Sequence, residues 1–201
     1  CPWCHNRELV EAPGSLPEIK AEELYNFLQA RRPWIRAVCL TGGEPTLAPD
    51  LPDFISTLKE LGFKVKLDTN GTRPRVLARL LEDRLVDYVA MDVKGPPAKY
   101  PLAAGAPVQL QAIETSINLL RQGAVPYEFR TTVVPDLLTA EDLLALGEWL
   151  SGAACYVLQP FVPRESILAA EYRHRPSTDP QFLGQTAARL KKCFVRIEVR
   201  S

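Results

Sequence analysis

The sequence predicts an α/β protein built on a sheet of parallel strands. Two observations carry this. Strand-like and helix-like segments alternate from Ala21 to the end of the 201-residue chain, and such alternation makes βα units whose strands run parallel. Polar, glycine-bearing stretches stand just after strand-like segments, at the sheet edge where parallel α/β folds gather their ligands. No linker or internal repeat divides the chain, so one domain over residues 1–201 is expected. Its sheet is either open or rolled into a barrel, with right-handed crossovers.

Each element has its own signal. Residues 7–20 read as a loop, with a Pro13-Gly14 turn and a further break at Pro17. Leu24, Phe27 and Leu28 have helical spacing within residues 21–32. The apolar strand 37–40 stops at Thr41-Gly42-Gly43-Glu44-Pro45. Leu51, Phe54, Ile55, Leu58 and Leu61 share one face of a helix over 50–61, which Gly62 would cap. Residues 63–67 alternate apolar residues with Lys and run into Asp68-Thr69-Asn70-Gly71. A helix over 74–81 has Pro in its first turn. The strand 86–91 leads to Asp92-Val93-Lys94-Gly95.

Residues 96–107, rich in Pro, Ala and Gly, form a loop before a helix marked by Leu110, Ile113, Ile117 and Leu120. The strand 127–134 contains Arg130-Thr131-Thr132. Thr139 opens a helix with Glu141 and Asp142 in its first turn. The strand 155–158 ends at Gln159-Pro160. Residues 163–180 are polar and loop-like, before a last helix over 181–192 and a last strand over 194–199.

Composition narrows the function. Apolar residues make up 46% and charged residues 24%, as in ordinary globular proteins. Lys plus Arg equals Asp plus Glu at 24 each, which argues against direct nucleic-acid binding and against an anionic membrane surface. No apolar run approaches the ~18 residues of a transmembrane helix. The five cysteines, an odd number, do not suggest a secreted disulfide framework, so a reducing, cytoplasmic setting is expected. Cys39 and Cys155 lie in apolar runs and read as small buried hydrophobes, and Cys193 as a structural thiol.

Cys1-Pro2-Trp3-Cys4-His5-Asn6 is the richest stretch. Cys-x-x-Cys-His matches c-type haem attachment, which suits a small helical fold rather than this one. A thioredoxin-like redox pair, structural zinc and an iron–sulfur cluster also remain open. An iron–sulfur cluster with an open iron needs only three thiolates, and one could lie upstream. Elsewhere, Gly42 and Gly43 allow a ligand close to the backbone. Glu44 suits an ammonium group, or else caps a neighbouring loop. Asp68 and Asp92 end neighbouring strands and could share a cation or a ribose, or cap turns. Lys94 and Arg130 offer charge to a carboxylate, or pair with those same Asp residues. Gln159, ending an apolar strand, needs a polar partner. Together these stretches predict one pocket.

These residues resemble the radical S-adenosylmethionine family. Its hallmark is Cys-x-x-x-Cys-x-x-Cys, whose last two cysteines Cys1 and Cys4 match, and Gly42-Gly43-Glu44-Pro45 resembles its Gly-Gly-Glu motif. The wider run (Asp-Thr-Asn-Gly, Met-Asp-Val-Lys, Phe-Arg-Thr-Thr-Val-Val-Pro) is most similar to glycyl-radical-enzyme activases, nearest those of anaerobic ribonucleoside-triphosphate reductase. The resemblance implies a partial (β/α)6 barrel and a 4Fe–4S cluster held by three Cys. It also implies reductive cleavage of S-adenosylmethionine to a 5′-deoxyadenosyl radical, which makes a glycyl radical on a partner enzyme. A flavodoxin- or ferredoxin-type electron donor is implied as well.

By motif position, Cys1 and Cys4 would ligate the cluster, Gly42, Gly43 and Glu44 meet the methionine ammonium, and Trp3 the adenine. Lys94 and Arg130 would lie near the carboxylate or ribose, with Asn70 and Gln159 in the same site. Asp68, Thr69 and Asp92 resemble residues that hold a monovalent cation in the pyruvate formate-lyase activase. Gln159 stands where that enzyme has a His. The first cluster Cys, four positions before Cys1, and the N-terminal strand are expected upstream, so the 201 residues alone would not complete a stable three-Cys cluster. The rival readings are a radical enzyme of the same family acting on a small molecule, and a non-catalytic metal- or redox-binding module.

Overall fold

The computed structural model describes residues 1–200. Its frame is one six-stranded, all-parallel sheet: β1 (Ala37–Leu40), β2 (Lys64–Thr69), β3 (Tyr88–Asp92), β4 (Tyr127–Val133), β5 (Cys155–Pro160) and β6 (Arg196–Val199). The strands stand side by side in chain order, and β1 does not bond to β6. The sheet is therefore a partial barrel, open along one side.

Helices precede the first strand and fill the crossovers. They are α1 (Arg7–Glu11), α2 (Ala21–Ala30), α3 (Leu51–Glu60), α4 (Pro74–Glu82), α5 (Tyr100–Ala104), α6 (Leu110–Arg121), α7 (Ala140–Trp149), α8 (Ala170–Arg173) and α9 (Pro180–Leu190). None among the described residues is long and apolar enough to cross a membrane.

Side chains alternate between the faces of a strand, and the register aligns that alternation across the sheet. Leu67 pairs with Val89, Thr69 with Met91, and Phe129 with Tyr156. These residues, fully or almost fully buried, pack with Ile55 and Leu58 of α3, Leu77 and Leu80 of α4, and Ile113 and Ile117 of α6. Burying such side chains contributes about 1.5–3 kcal/mol each. The opposite face carries Lys66, Asp68, Tyr88, Asp92, Glu128 and Arg130. One period-two pattern thus separates a dry core from a charged concave wall.

Four local readings change. Residues 7–20 hold a short helix, α1, rather than loop alone, 96–107 include α5, and 163–180 include α8. Cys39 is exposed instead of buried, because β1 is an edge strand that neither face fully covers. Cys155, on the covered strand β5, is buried as expected. Phe27 stays 48% exposed, with the Arg31 guanidinium 3.7 Å from its ring centre.

Candidate active site

The polar stretches after the strands meet at one end of the sheet, around a cavity of about 660 Å³. That volume lies in the range of small-molecule sites. Every site residue expected from the sequence lines it: Cys1, Trp3, Cys4, Gly42, Gly43, Glu44, Asp68, Thr69, Asn70, Asp92, Lys94, Arg130 and Gln159.

The Cys loop is held at the rim by main-chain groups. Cys4 N–H donates to Cys1 O (3.1 Å), Ala169 N–H to Pro2 O (2.9 Å) and Leu168 N–H to Cys4 O (3.0 Å). The strap that supplies them is itself tied down by Arg173, whose guanidinium donates to the carbonyls of Ile167 (2.8 Å) and Leu168 (3.0 Å). Behind the loop, Gly105 sits at φ +67°, and a Cβ there would come within 2.3 Å of Pro2. Cys1 and Cys4 carry free thiols at the cavity edge. They fit as two thiolate ligands of an iron–sulfur cluster. Among the described residues, no group of three or more His, Cys, Asp or Glu converges to hold a metal ion.

The glycine loop is shaped from both sides. Gly42 has φ +130°, a conformation that side-chain-bearing residues rarely adopt, and its carbonyl accepts from Asn6 Nδ2 (3.2 Å). At Gly43 the space where a Cβ would stand is open, with nothing within 4 Å. Glu44 Oε1 accepts from the Thr46 amide (3.2 Å) and hydroxyl and from Thr69 Oγ1 (2.7 Å), while Oε2 accepts from the Asn70 amide (2.7 Å). Glu44 thus caps its neighbours and ties the end of β1 to the end of β2. Only its Oε2 keeps spare acceptor capacity for an ammonium group.

The floor is a row of alternating charges. Lys66 donates to Asp68 Oδ1 (2.7 Å), Arg130 bridges Asp68 Oδ2 (3.0 Å) and Asp92 Oδ1 (3.0 Å), and Lys94 reaches Asp92 Oδ2 (3.2 Å). Burial works to raise the Asp92 carboxyl, but Lys94 and Arg130 outweigh it and hold the group below its ordinary value. Burial likewise opposes the Arg130 charge, and Asp92 and Asp68 more than offset it, raising its pKa. A monovalent cation at Asp68, Thr69 and Asp92 would have to displace the guanidinium that now joins the two carboxylates. Lys94 Nζ also lies 5.0 Å from the centre of the Trp3 ring.

Sequence reasoning missed Tyr100, Ala104, Ala106, Pro107 and Val108, all of which line the cavity. Tyr100 has a faint signal, an aromatic residue just downstream of Asp92-Val93-Lys94-Gly95. The others belong to a stretch whose composition says only loop.

Comparison with known proteins follows the geometry. The radical SAM superfamily profile matches residues 1–150. A Methanocaldococcus jannaschii protein, named provisionally as a glycyl-radical enzyme activating enzyme, is 30% identical over 207 aligned positions, covering 100% of this chain and 84% of that protein. The 7-carboxy-7-deazaguanine synthase of Thermoplasma acidophilum is 32% identical over 99 residues, covering 49% of this chain and 44% of its own. Among solved structures, a domain of pyruvate-formate lyase-activating enzyme from Bacteroides vulgatus superposes with TM-score 0.64 at 17% identity, over 82% of this chain and 99% of that one. Streptococcus suis SuiB bound to S-adenosylmethionine superposes with TM-score 0.67 at 12% identity, over 99% and 47%. These structural likenesses show the shared fold. The chain belongs to the radical SAM superfamily, a membership that implies a 4Fe–4S cluster and S-adenosylmethionine.

Proposed function

We propose that the protein is an activase that generates a glycyl radical on a partner enzyme of the anaerobic ribonucleotide reductase kind, drawing its electron from a flavodoxin- or ferredoxin-type donor. The observation that carries this reading is the 30% identity sustained over the whole chain to a relative named for that activity.

In this reading Cys1 and Cys4 supply two cluster thiolates. When bound, the cluster supplies the electron that cleaves the sulfonium of S-adenosylmethionine to methionine and a 5′-deoxyadenosyl radical. The chain's own residues bind and orient. Glu44, anchored by Thr46, Thr69 and Asn70, fixes the loop so that the Gly42-Gly43 main chain faces the amino-acid end of the ligand. Arg130 and Lys94 set positive charge beside it, and Gln159 closes the wall. We assign Asp68 and Asp92 to holding Arg130 rather than to binding a cation. Thr69 belongs with them, its hydroxyl spent on Glu44.

A second reading, a radical enzyme acting on a small molecule, is favoured by the half-length match to the deazaguanine synthase. Incubating the cluster-loaded protein anaerobically with S-adenosylmethionine, a reductant and an anaerobic ribonucleotide reductase separates the two. A glycyl radical signal by spin resonance is expected. Formation of 5′-deoxyadenosine with no protein radical would overturn the activase reading in favour of the second.

A further inference from the structure

Leu168 and Ala169 reach the Cys loop through their N–H groups, at 3.0 Å to Cys4 O and 2.9 Å to Pro2 O. All peptide bonds in the described chain are trans, and a trans peptide points its C=O away from its N–H. The carbonyl behind the Leu168 N–H is that of Ile167, and the carbonyl behind the Ala169 N–H is that of Leu168. These are the two carbonyls that the Arg173 guanidinium holds, from Nε at 2.8 Å and from Nη2 at 3.0 Å. One side chain therefore grips from behind both of the peptide groups that hold the loop in front. The path from guanidinium through peptide to loop carbonyl is made twice over.

The side chain suits the task. A guanidinium presents its N–H donors in a fixed planar fork. Hydrogen bonds from a charged donor are shorter and stronger than neutral ones. Bonds in a chain polarise one another, so a charge on the carbonyl strengthens the N–H of the same peptide as a donor. The base from which Arg173 acts is fixed by other contacts. Its neighbour Tyr172 is buried and meets the Phe161 ring edge-on at 6.4 Å and 73°. Arg175 donates to Pro135 O at 3.1 Å. We propose that Arg173 is a positioning residue for the cluster, acting through the Ile167–Leu168 and Leu168–Ala169 peptides to fix the loop that offers Cys1 and Cys4. This rests on the reading of those cysteines as cluster ligands and not on the identity of the partner enzyme.

Arg173→Met removes the fork and the charge but keeps an unbranched side chain, and Arg173→Lys keeps the charge alone. Arg175→Met, on the same strap, is the control. Amide hydrogen exchange followed by NMR should quicken about 10-fold at Leu168 and Ala169 in Arg173→Met, the loss of a charge-assisted hydrogen bond behind each. The amides of α9 should keep their rates, and Arg173→Lys should fall between the two. In the cluster-loaded protein, bipyridine should strip iron roughly 10-fold faster from Arg173→Met than from wild type, the scale of effect seen when outer contacts to metal ligands are lost. Arg175→Met should match wild type in both measurements. Unchanged exchange at the two amides, or unchanged iron loss, overturns the proposal. So does faster exchange throughout the fold in Arg173→Met, or the same pattern in Arg175→Met, either of which marks general support of the strap. A wild-type protein that takes up no cluster overturns both this proposal and the functional reading. Normal wild-type loading with a silent variant overturns the Arg173 assignment alone.

Discussion

Arg130 is the side chain on which the cavity floor depends. It is 8% exposed overall and joins carboxylates from two neighbouring strands. Replacing it by Met strands Asp68 and Asp92 beside a desolvated gap, since Lys66 and Lys94 each already serve one of them. We expect Arg130→Met to lower stability by about 3 kcal/mol in urea denaturation, as for other broken buried pairs. Arg130→Lys should recover part of this, because a single ammonium cannot span two carboxylates as a guanidinium does. The polar character of all three residues was legible in the sequence. Their mutual pairing was legible only as one of two alternatives, because the choice depends on the Asp92↔Arg130 register and on β2 lying beside β3. Tyr100 was less legible still, since nothing in a Pro- and Ala-rich loop says that one aromatic turns inward.

Among the elements, α7 shows how a local signal becomes a stable boundary. Thr139 Oγ1 accepts from the Asp142 amide (3.3 Å) and the Asp142 carboxylate accepts from the Thr139 amide (2.8 Å), a reciprocal capping box. Asp142 also accepts from Lys99 (2.7 Å), which ties α7 to the turn preceding α5 and hence to Tyr100. Thr139→Ala should cost about 1 kcal/mol by urea denaturation. All six strands and every long helix were legible, because the apolar periods are strong and turn residues punctuate them. Three elements were not. The helix α1 has no buried residue to set a period, α5 is five residues inside a Pro- and Ala-rich stretch, and α8 is a single turn held by its surroundings. Edge exposure was also hidden: Ala-Val-Cys-Leu reads as core, but β1 pairs only with β2, so Cys39, on the same face as Lys66, stays exposed.

Over the whole molecule, acid acts on two lysine-paired carboxylates. Asp92 and Asp142 both keep carboxyl pKa values below the ordinary Asp range. At each, burial pulls upward and is outweighed: by Lys94 and Arg130 at Asp92, and by Lys99 and Thr139 at Asp142. A carboxyl whose pKa is lower folded than unfolded stabilises the fold fully above the unfolded value, roughly pH 4. That contribution fades as pH falls through the folded values. Stability from denaturant melts should therefore be flat between pH 5 and 7 with respect to these groups and decline below about pH 4. The double variant Asp92→Asn, Asp142→Asn should be less stable at pH 7 yet lose less on acidification.

The longest-range join in the fold links residues 2–4 to residues 168–169, and it is made by peptide groups alone. Recognition of this kind does not read side-chain identity. Leu168 and Ala169, both only partly buried, are therefore free to drift over evolutionary time while the loop beside the cavity keeps its shape. Proline, which has no N–H to give, is the one residue that drift cannot admit there.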